Sequence, residues 1–270
     1  MAASADKGSA SRPEREGVPG RVWIPAVTTL AFLGSWQLVV VVGIVPNFLL
    51  PSPTQVIWAL VEDSGLLAGH SVTSLIEAAR GLVIGTALGV VIGVLMDRFP
   101  KFRLAFEPLM TVSQTIPTVA IAPLLVLWFG YGMAPKIILI VPSTFFPIAG
   151  GLLEGCRSAD PDAIGLLRSM GANRWQIFRH IKFPSAMPQF FSGLRIAAAY
   201  GVVGAVISEW LGGFGGLGVY MTRVKKAYAF DKMFAVIFLI SGISLALMTL
   251  VDYAERKCMP YRHLDNKKGT

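Results

Sequence analysis

Six runs of apolar residues punctuate the chain, at 22–44, 71–96, 105–129, 135–153, 190–211 and 233–253. Each is close to the roughly 20 residues that a helix needs to cross a bilayer. Shorter mixed stretches carrying proline, glycine and charge separate them. The pattern predicts an all-α, polytopic membrane protein with six transmembrane helices. Only residues 130–134 part the third and fourth runs, so these are expected to form a tight helical hairpin, with Pro135 at the first helical position, where a missing N–H is harmless. Between the first two runs, the proline-dense segment 46–53 resists helix, and an amphipathic stretch at 54–67 predicts a short external surface or re-entrant helix.

Composition agrees: of 270 residues, 54% are hydrophobic and 15% charged, and the mean hydropathy is +0.61. An ordinary soluble domain is excluded. The first 20 residues are polar and hold five Pro or Gly, which predicts a disordered cytoplasmic tail at 1–21 in place of a cleaved signal peptide. The net charge of +8 raises the question of nucleic acid, but the basic residues flank apolar runs, so no nucleic-acid partner is expected and lipid is. Counted by loop, 17 Lys and Arg fall on the side of both termini and the central loop, against five on the other (Lys136, Arg223, Lys225, Lys226, Lys232). Both termini and the central loop are therefore expected to be cytoplasmic, with 22–254 as the six-helix membrane domain and 255–270 as a second cytoplasmic tail. The segment 214–232 strains this topology, because it carries four of the five opposing charges. Cys156 and Cys258 lack metal-ligand spacing and are expected to stay reduced.

Several motifs carry physical content. Gly81, Gly85, Gly89 and Gly93 recur every four residues and lay bare backbone along one helical face, where another helix packs closely. Pro117, Pro123, Pro142 and Pro147 interrupt the third and fourth runs. Broken helices survive in membranes where they line a cavity or pack against protein. Gln114, Thr115 and Pro117 are accordingly candidate pathway residues, with a kink inside a packed bundle as the other reading. Glu77 and Arg80, one turn apart, are placed to neutralise each other. Intramembrane charge marks either such pairing or function, and Glu209, near the end of the fifth run, joins the pathway candidates. The glycine-rich 212–218 lacks the Lys-Ser or Lys-Thr ending of a phosphate loop, and no GxxxxGK[ST] pattern occurs anywhere. No cofactor is expected in this chain, and ATP, if used, belongs to a partner subunit. The isolated His70, His180 and His263 assemble neither a metal site nor a nucleophile with its base, so an enzyme is not expected.

The central loop, 157–184, is patterned as a helix, an elbow and a helix. Ile164, Leu167 and Met170 keep helical spacing, Gly171-Ala172-Asn173 break it, and Trp175, Phe178 and Ile181 stripe a second short helix that Pro184 is expected to end. Arg168, Arg174, Arg179 and Lys182 supply charge. Periodicity alone fits two arrangements equally: a hairpin lying on lipid headgroups, or a docking element for another protein.

Here the residues resemble a known family. Gly171, Ile181 and Pro184, around Arg168-Ser169-Met170-Gly171-Ala172-Asn173-Arg174-Trp175-Gln176-Ile177-Phe178, match the spacing of the "EAA" loop of binding-protein-dependent ABC importer permeases. The likeness extends from Leu50-Pro51-Ser52-Pro53 through Ile116-Pro117 and Ala122-Pro123-Leu124 to Glu209-Trp210-Leu211-Gly212, nearest to the nitrate, sulfonate, taurine and pyrimidine-precursor branch. The resemblance implies a multi-pass inner-membrane permease that pairs as a homodimer, an extracytoplasmic substrate-binding protein, and an ATP-binding subunit whose closure the loop transmits. One departure stands out: Gly165 occupies the motif's acidic position, with Leu166 and Leu167 in place of its two alanines. Asp162, about one turn earlier, is the candidate substitute. The competing class is an ion-coupled secondary transporter, which would use buried ionisable residues near the midplane.

Overall fold

The computed structural model describes residues 23–259. The expected tail at 1–21 and the end of the second tail beyond residue 259 lie outside the described residues. Contacts divide the chain into a unit at 1–53 and a unit at 54–270. The first contains helix α1 (Trp23–Val41), an apolar helix of 19 residues. The second begins at the start of α2 (Pro53–Glu62) and continues with α3 (Ser64–Arg98), α4 (Pro100–Thr115), α5 (Thr118–Phe129) and α6 (Met133–Arg157). The short α7 (Pro161–Ser169) and α8 (Arg174–Ile177) follow, then α9 (Phe183–Trp210), α10 (Leu217–Lys226) and α11 (Phe230–Cys258).

Among the described residues, five helices are long and apolar enough to cross a membrane, and α4 with α5 makes a sixth span only if that bent pair counts as one. The third predicted run is thus two helices meeting at 91°, not one straight span. The break has a local cause. Pro117 pushes the residue before it out of helical geometry, and Ile116 is extended at φ −78°, ψ 119°. The following turn closes in three residues, 130–132, and α6 starts at Met133, so Pro135 occupies the third helical position, not the first. It still falls within the first turn, where the N–H has no intrahelical partner.

Helix α6 is the centre of the second unit. Against one side lies α3, whose Gly81, Gly85, Gly89 and Gly93 face Ile140, Thr144, Ile148 and Leu152 in order. Both series advance by four in the same direction, so the two helices run parallel. A Cβ at Gly89 would stand 2.9 Å from the Ile148 side chain; larger residues would force the helices apart. Ile140 and Ile148 are fully buried by this contact, which gains its stability from dispersion in an apolar solvent. On the other side α9 runs antiparallel: Gly155 meets Ala186, Gly151 meets Gln189 and Gly193 meets Pro147. Arg195 then ties α9 to α11 through Asp252 at 2.5 Å and Glu255 at 2.7 Å.

The amphipathic stretch expected at 54–67 divides between α2 and the first turn of α3. Helix α10 buries Leu217, Tyr220 and Val224 against Leu67, Val206 and Val236 and leaves Arg223, Lys225 and Lys226 exposed. The charge-rich segment 214–232 is therefore a loop and a short surface helix between two long apolar ones.

Candidate functional site: an elbow and a cavity

At the elbow, each residue has a visible structural reason. Pro161 starts α7 and Asp160 caps it, accepting from the Asp162 backbone N–H at 2.9 Å. Gly171 takes φ +82°, a left-handed conformation that is costly for residues with a Cβ. Asn173 then caps α8 reciprocally with Gln176: the Gln176 N–H donates to Asn173 Oδ1 at 2.9 Å, and the Asn173 N–H donates to Gln176 Oε1 at 2.7 Å. Two backbone donors are satisfied at once.

Pro184 does not end the second helix, as the sequence had suggested. Helix α8 runs through a π-helical turn, Phe178–Lys182, into α9. The wider turn, closed by the Phe183 N–H on the Phe178 carbonyl, relieves the clash that a proline ring makes with the carbonyl four residues back. The elbow is consequently joined rigidly to a long apolar helix, 37 residues from Arg174 to Trp210.

The elbow also leans on α3. Lys182 Nζ lies 2.6 Å from Asp97 Oδ1, and a cleft of about 510 Å³ opens among Asp97, Arg98, Arg168, Arg174, Trp175 and Phe178. The Trp175 and Phe178 rings stack with centroids 5.6 Å apart. Ile177, which the predicted stripe omitted, is the buried anchor, whereas Phe178 and Ile181 are half-buried. Leu166 (64% exposed), Met170 (73%) and Trp175 (63%) stand out as bulky apolar side chains that are mostly exposed among the described residues. Arg168, Gly171 and Arg174 are exposed beside them, Ala172 is half-buried, and Gly165 and Asp162 are exposed on α7.

The second feature is a cavity of about 470 Å³ where the α4–α5 break faces α6 and α9. Gln114 and Pro117 line it, together with Ser113, Thr118, Ser143 and Tyr200. Thr115 and Glu209 are not among the lining residues. Thr115 Oγ1 donates to the Val112 carbonyl of its own helix at 2.7 Å. Glu209 is 1% exposed, accepts from Ser74 Oγ at 2.6 Å and accepts from the Gly218 N–H at 2.6 Å.

That bonding accounts for the glycine-rich loop. The Glu209 carboxylate occupies the space where a side chain at Gly216 (φ +118°) would lie, and the Val206 carbonyl with the Glu209 side chain fills it at Gly218, so the loop is a cradle for a carboxylate of its own chain. Leu217 N–H donates to Ser74 Oγ and Gly216 N–H to His70 Nδ1. Nearby, Glu77 pairs with Lys136 at 2.5 Å, not with Arg80, which is exposed. Lys136, counted above as a loop charge, is 7% exposed. Spacing within one helix could not reveal a partner 59 positions away. Among the described residues, no group of three or more His, Cys, Asp or Glu is placed to hold a metal ion.

Comparison with known proteins decides the family. The profile described as "Binding-protein-dependent transport system inner membrane component" matches residues 85–259, which span the cavity, the elbow and the glycine cradle. The chain belongs to this permease family. It is 34% identical over 233 residues to a probable ABC transporter permease protein of Haemophilus influenzae, covering 86% of this chain and 95% of that one. A formylaminopyrimidine transport permease protein of Halalkalibacterium halodurans is 35% identical over 216 residues, 80% of this chain and 86% of its own. A riboflavin transport system permease protein of Chloroflexus aurantiacus is 33% identical over 233 residues, 85% and 87% of the two chains. A crystal structure of an amino acid ABC transporter superposes on the permease with TM-score 0.62 at 17% identity, covering 74% of this chain and 97% of that chain; the shared fold is all that likeness carries. The permease is a multi-pass inner-membrane protein of the ABC importer class, in the branch expected from its motifs.

Proposed function

We propose that this permease forms the membrane pathway of an ATP-driven importer for a small polar solute, and that residues 157–184 are its attachment to a separate ATP-binding subunit. The observation that carries the reading is the elbow itself. Leu166, Met170 and Trp175 are exposed apolar side chains on an element fixed by a capping box, an ion pair to α3 and unbroken helix into α9. A lever needs a rigid arm and a surface to be pushed, and exposed aromatic and aliphatic anchors are what a partner pocket takes. Closure of the ATP-binding subunit would tilt α9 through the arm. An ATP-driven state change acts only by favouring one access state over the other.

The same reading places both termini and the elbow in the cytoplasm, pairs two copies as a homodimer and assigns an extracytoplasmic binding protein to deliver solute. Gln114, Thr115, Pro117 and Glu209 are its pathway residues, the first and third at the cavity wall and Glu209 as the anchor of the loop cradle. Asp162, exposed in the first turn of α7, takes the role of the carboxylate missing at Gly165. The solute belongs to the range that relatives and motifs delimit: a thiamine pyrimidine precursor, riboflavin, a sulfonate, taurine or nitrate. Reconstitution with the partner subunits tests the proposal: solute uptake into vesicles should require ATP on the elbow side, and Asp162→Ala should lower ATPase stimulation by the loaded binding protein.

One observation favours a second reading. Glu77, Lys136 and Glu209 are buried charges in one neighbourhood, which is what an ion-coupled secondary transporter would use. Uptake abolished by an ionophore and indifferent to ATP would select it.

A further inference from the structure

The cavity between the α4–α5 break, α6 and α9 has a chemistry of its own. Among the described residues that line it, none carries a formal charge at neutral pH. Of its polar groups, the Ser113 and Ser143 hydroxyls spend their protons inside the chain, whereas the Thr118 and Tyr200 hydroxyls can donate or accept. The Ser113 hydroxyl donates to the Leu109 carbonyl at 2.8 Å, and the Ser143 hydroxyl donates to the Ile140 carbonyl at 2.8 Å. A hydroxyl has one proton, so both oxygens offer only lone pairs to a guest. Gln114 uses one amide N–H on the Met110 carbonyl at 3.3 Å, which leaves its carbonyl oxygen and one N–H for a guest. Pro147, also in the wall, cannot donate to the Ser143 carbonyl one turn back. Tyr200 and Phe146 add aromatic faces.

An anion needs the opposite: donors or cations aimed at its oxygens. Brought here from water, a sulfonate or nitrate would lose its hydration and find no cation in the wall, only a few neutral donors beside serine lone pairs. A permanent cation would meet no carboxylate. An uncharged planar heterocycle with amino N–H groups meets acceptors at its edge and rings at its face.

Resting on the importer reading, we infer that this cavity passes uncharged amino-substituted N-heterocycles and excludes the anionic solutes of the branch. The wall thereby adds a second selection to that made by the binding protein. Ser113, Gln114 and Ser143 read the amino edge, and Tyr200 stacks on the ring.

The test is uptake into vesicles holding the whole transporter, permease with ATP-binding subunit and binding protein, using formylaminopyrimidine, ethanesulfonate and nitrate as separate probes. ATP-driven uptake of formylaminopyrimidine is expected, with ethanesulfonate and nitrate at background. Gln114→Ala and Tyr200→Ala should each lower formylaminopyrimidine uptake about fivefold or more, the scale of one lost hydrogen bond or ring contact. Tyr200→Phe, which keeps the ring, should retain most of it. ATP-driven uptake of ethanesulfonate or nitrate overturns the inference and leaves the importer reading intact, as does wild-type uptake by both alanine variants. Uptake of formylaminopyrimidine that ignores ATP supports the wall chemistry while removing the importer reading. Should the alanine variants fail to assemble, Tyr200→Phe against Tyr200→Leu decides: the variant that keeps the ring should retain formylaminopyrimidine uptake and the other should lose about fivefold, and equal uptake by the two overturns the inference.

Discussion

Glu77 and Lys136 meet at 2.5 Å, and they are 2% and 7% exposed. The pair joins α3 to α6 one turn before the first of the glycine contacts, so one junction is held by charge at one end and by close packing along its length. Removing one partner strands the other charge, which costs about 3–5 kcal/mol. Glu77→Ala or Lys136→Ala should therefore lower the detergent-solubilised unfolding temperature sharply. Glu77→Leu combined with Lys136→Met should recover most of the loss, because two well-packed apolar groups replace an expensive ion pair. A double variant no more stable than the singles would show that the pair is not a closed unit.

The packing half of the junction makes its own prediction. Gly89→Val puts a branched side chain where Ile148 already lies, and overpacking of this kind costs about 1–3 kcal/mol. Gly69, in the same helix, faces open space, so Gly69→Ala should be neutral or stabilise by up to about 1 kcal/mol through lost chain entropy. Thermal unfolding of the two variants side by side separates contact from composition.

Asp63, between α2 and α3, predicts a pH dependence. Hydrogen bonding from Tyr220, then from Lys232, holds its carboxyl below the usual carboxylate range. A depressed folded-state pKa contributes stability that is present above the unfolded value and disappears as pH falls through the folded one. The docking of α10 and α11 on Asp63 should thus be unaffected from neutral pH down to its ordinary value, 3.8, and weaken below it. Asp63→Asn should lower stability at neutral pH and flatten that acid limb. Amide exchange in α10, followed as pH is lowered, reads this locally.

Much of this architecture is legible in the sequence because bilayer thickness and the four-residue glycine spacing are local rules. The glycines at 81 to 93 face a neighbouring helix as their period requires. Pro117 marks the helix break, although a hydropathy run reads through it and so cannot report the 91° bend. Pro184 misleads for a related reason: a proline rule written for regular helix does not anticipate the π-helical turn that accommodates it. The ion pairs are least legible. Glu77 with Lys136, Lys182 with Asp97 and Lys232 with Asp63 join residues far apart in the chain, and only the fold brings them together. Glu209 stands out in the sequence as a charge in an apolar run. Its partner, the glycine cradle, is also conspicuous there, but nothing local connects the two.

The elbow carries two further expectations. Gly171→Ala forces a Cβ into left-handed backbone at a cost of about 1–2 kcal/mol, and Asn173→Ala removes a cap worth about 1 kcal/mol. Neither reaches the bundle core, so global unfolding should change little. Stimulation of the ATP-binding subunit by loaded binding protein should fall in both, and more in the double variant.

The most direct measurement is a photocross-link from the elbow in native membranes. With a photoreactive benzoylphenylalanine in place of Met170, which projects 73% exposed from the end of α7, irradiation should yield an adduct with the ATP-binding subunit. The same group in place of Phe214, 93% exposed in the opposite charge-rich loop, should yield none with that subunit. An adduct from Phe214 and none from Met170 would contradict both the attachment at 157–184 and the orientation proposed for the permease.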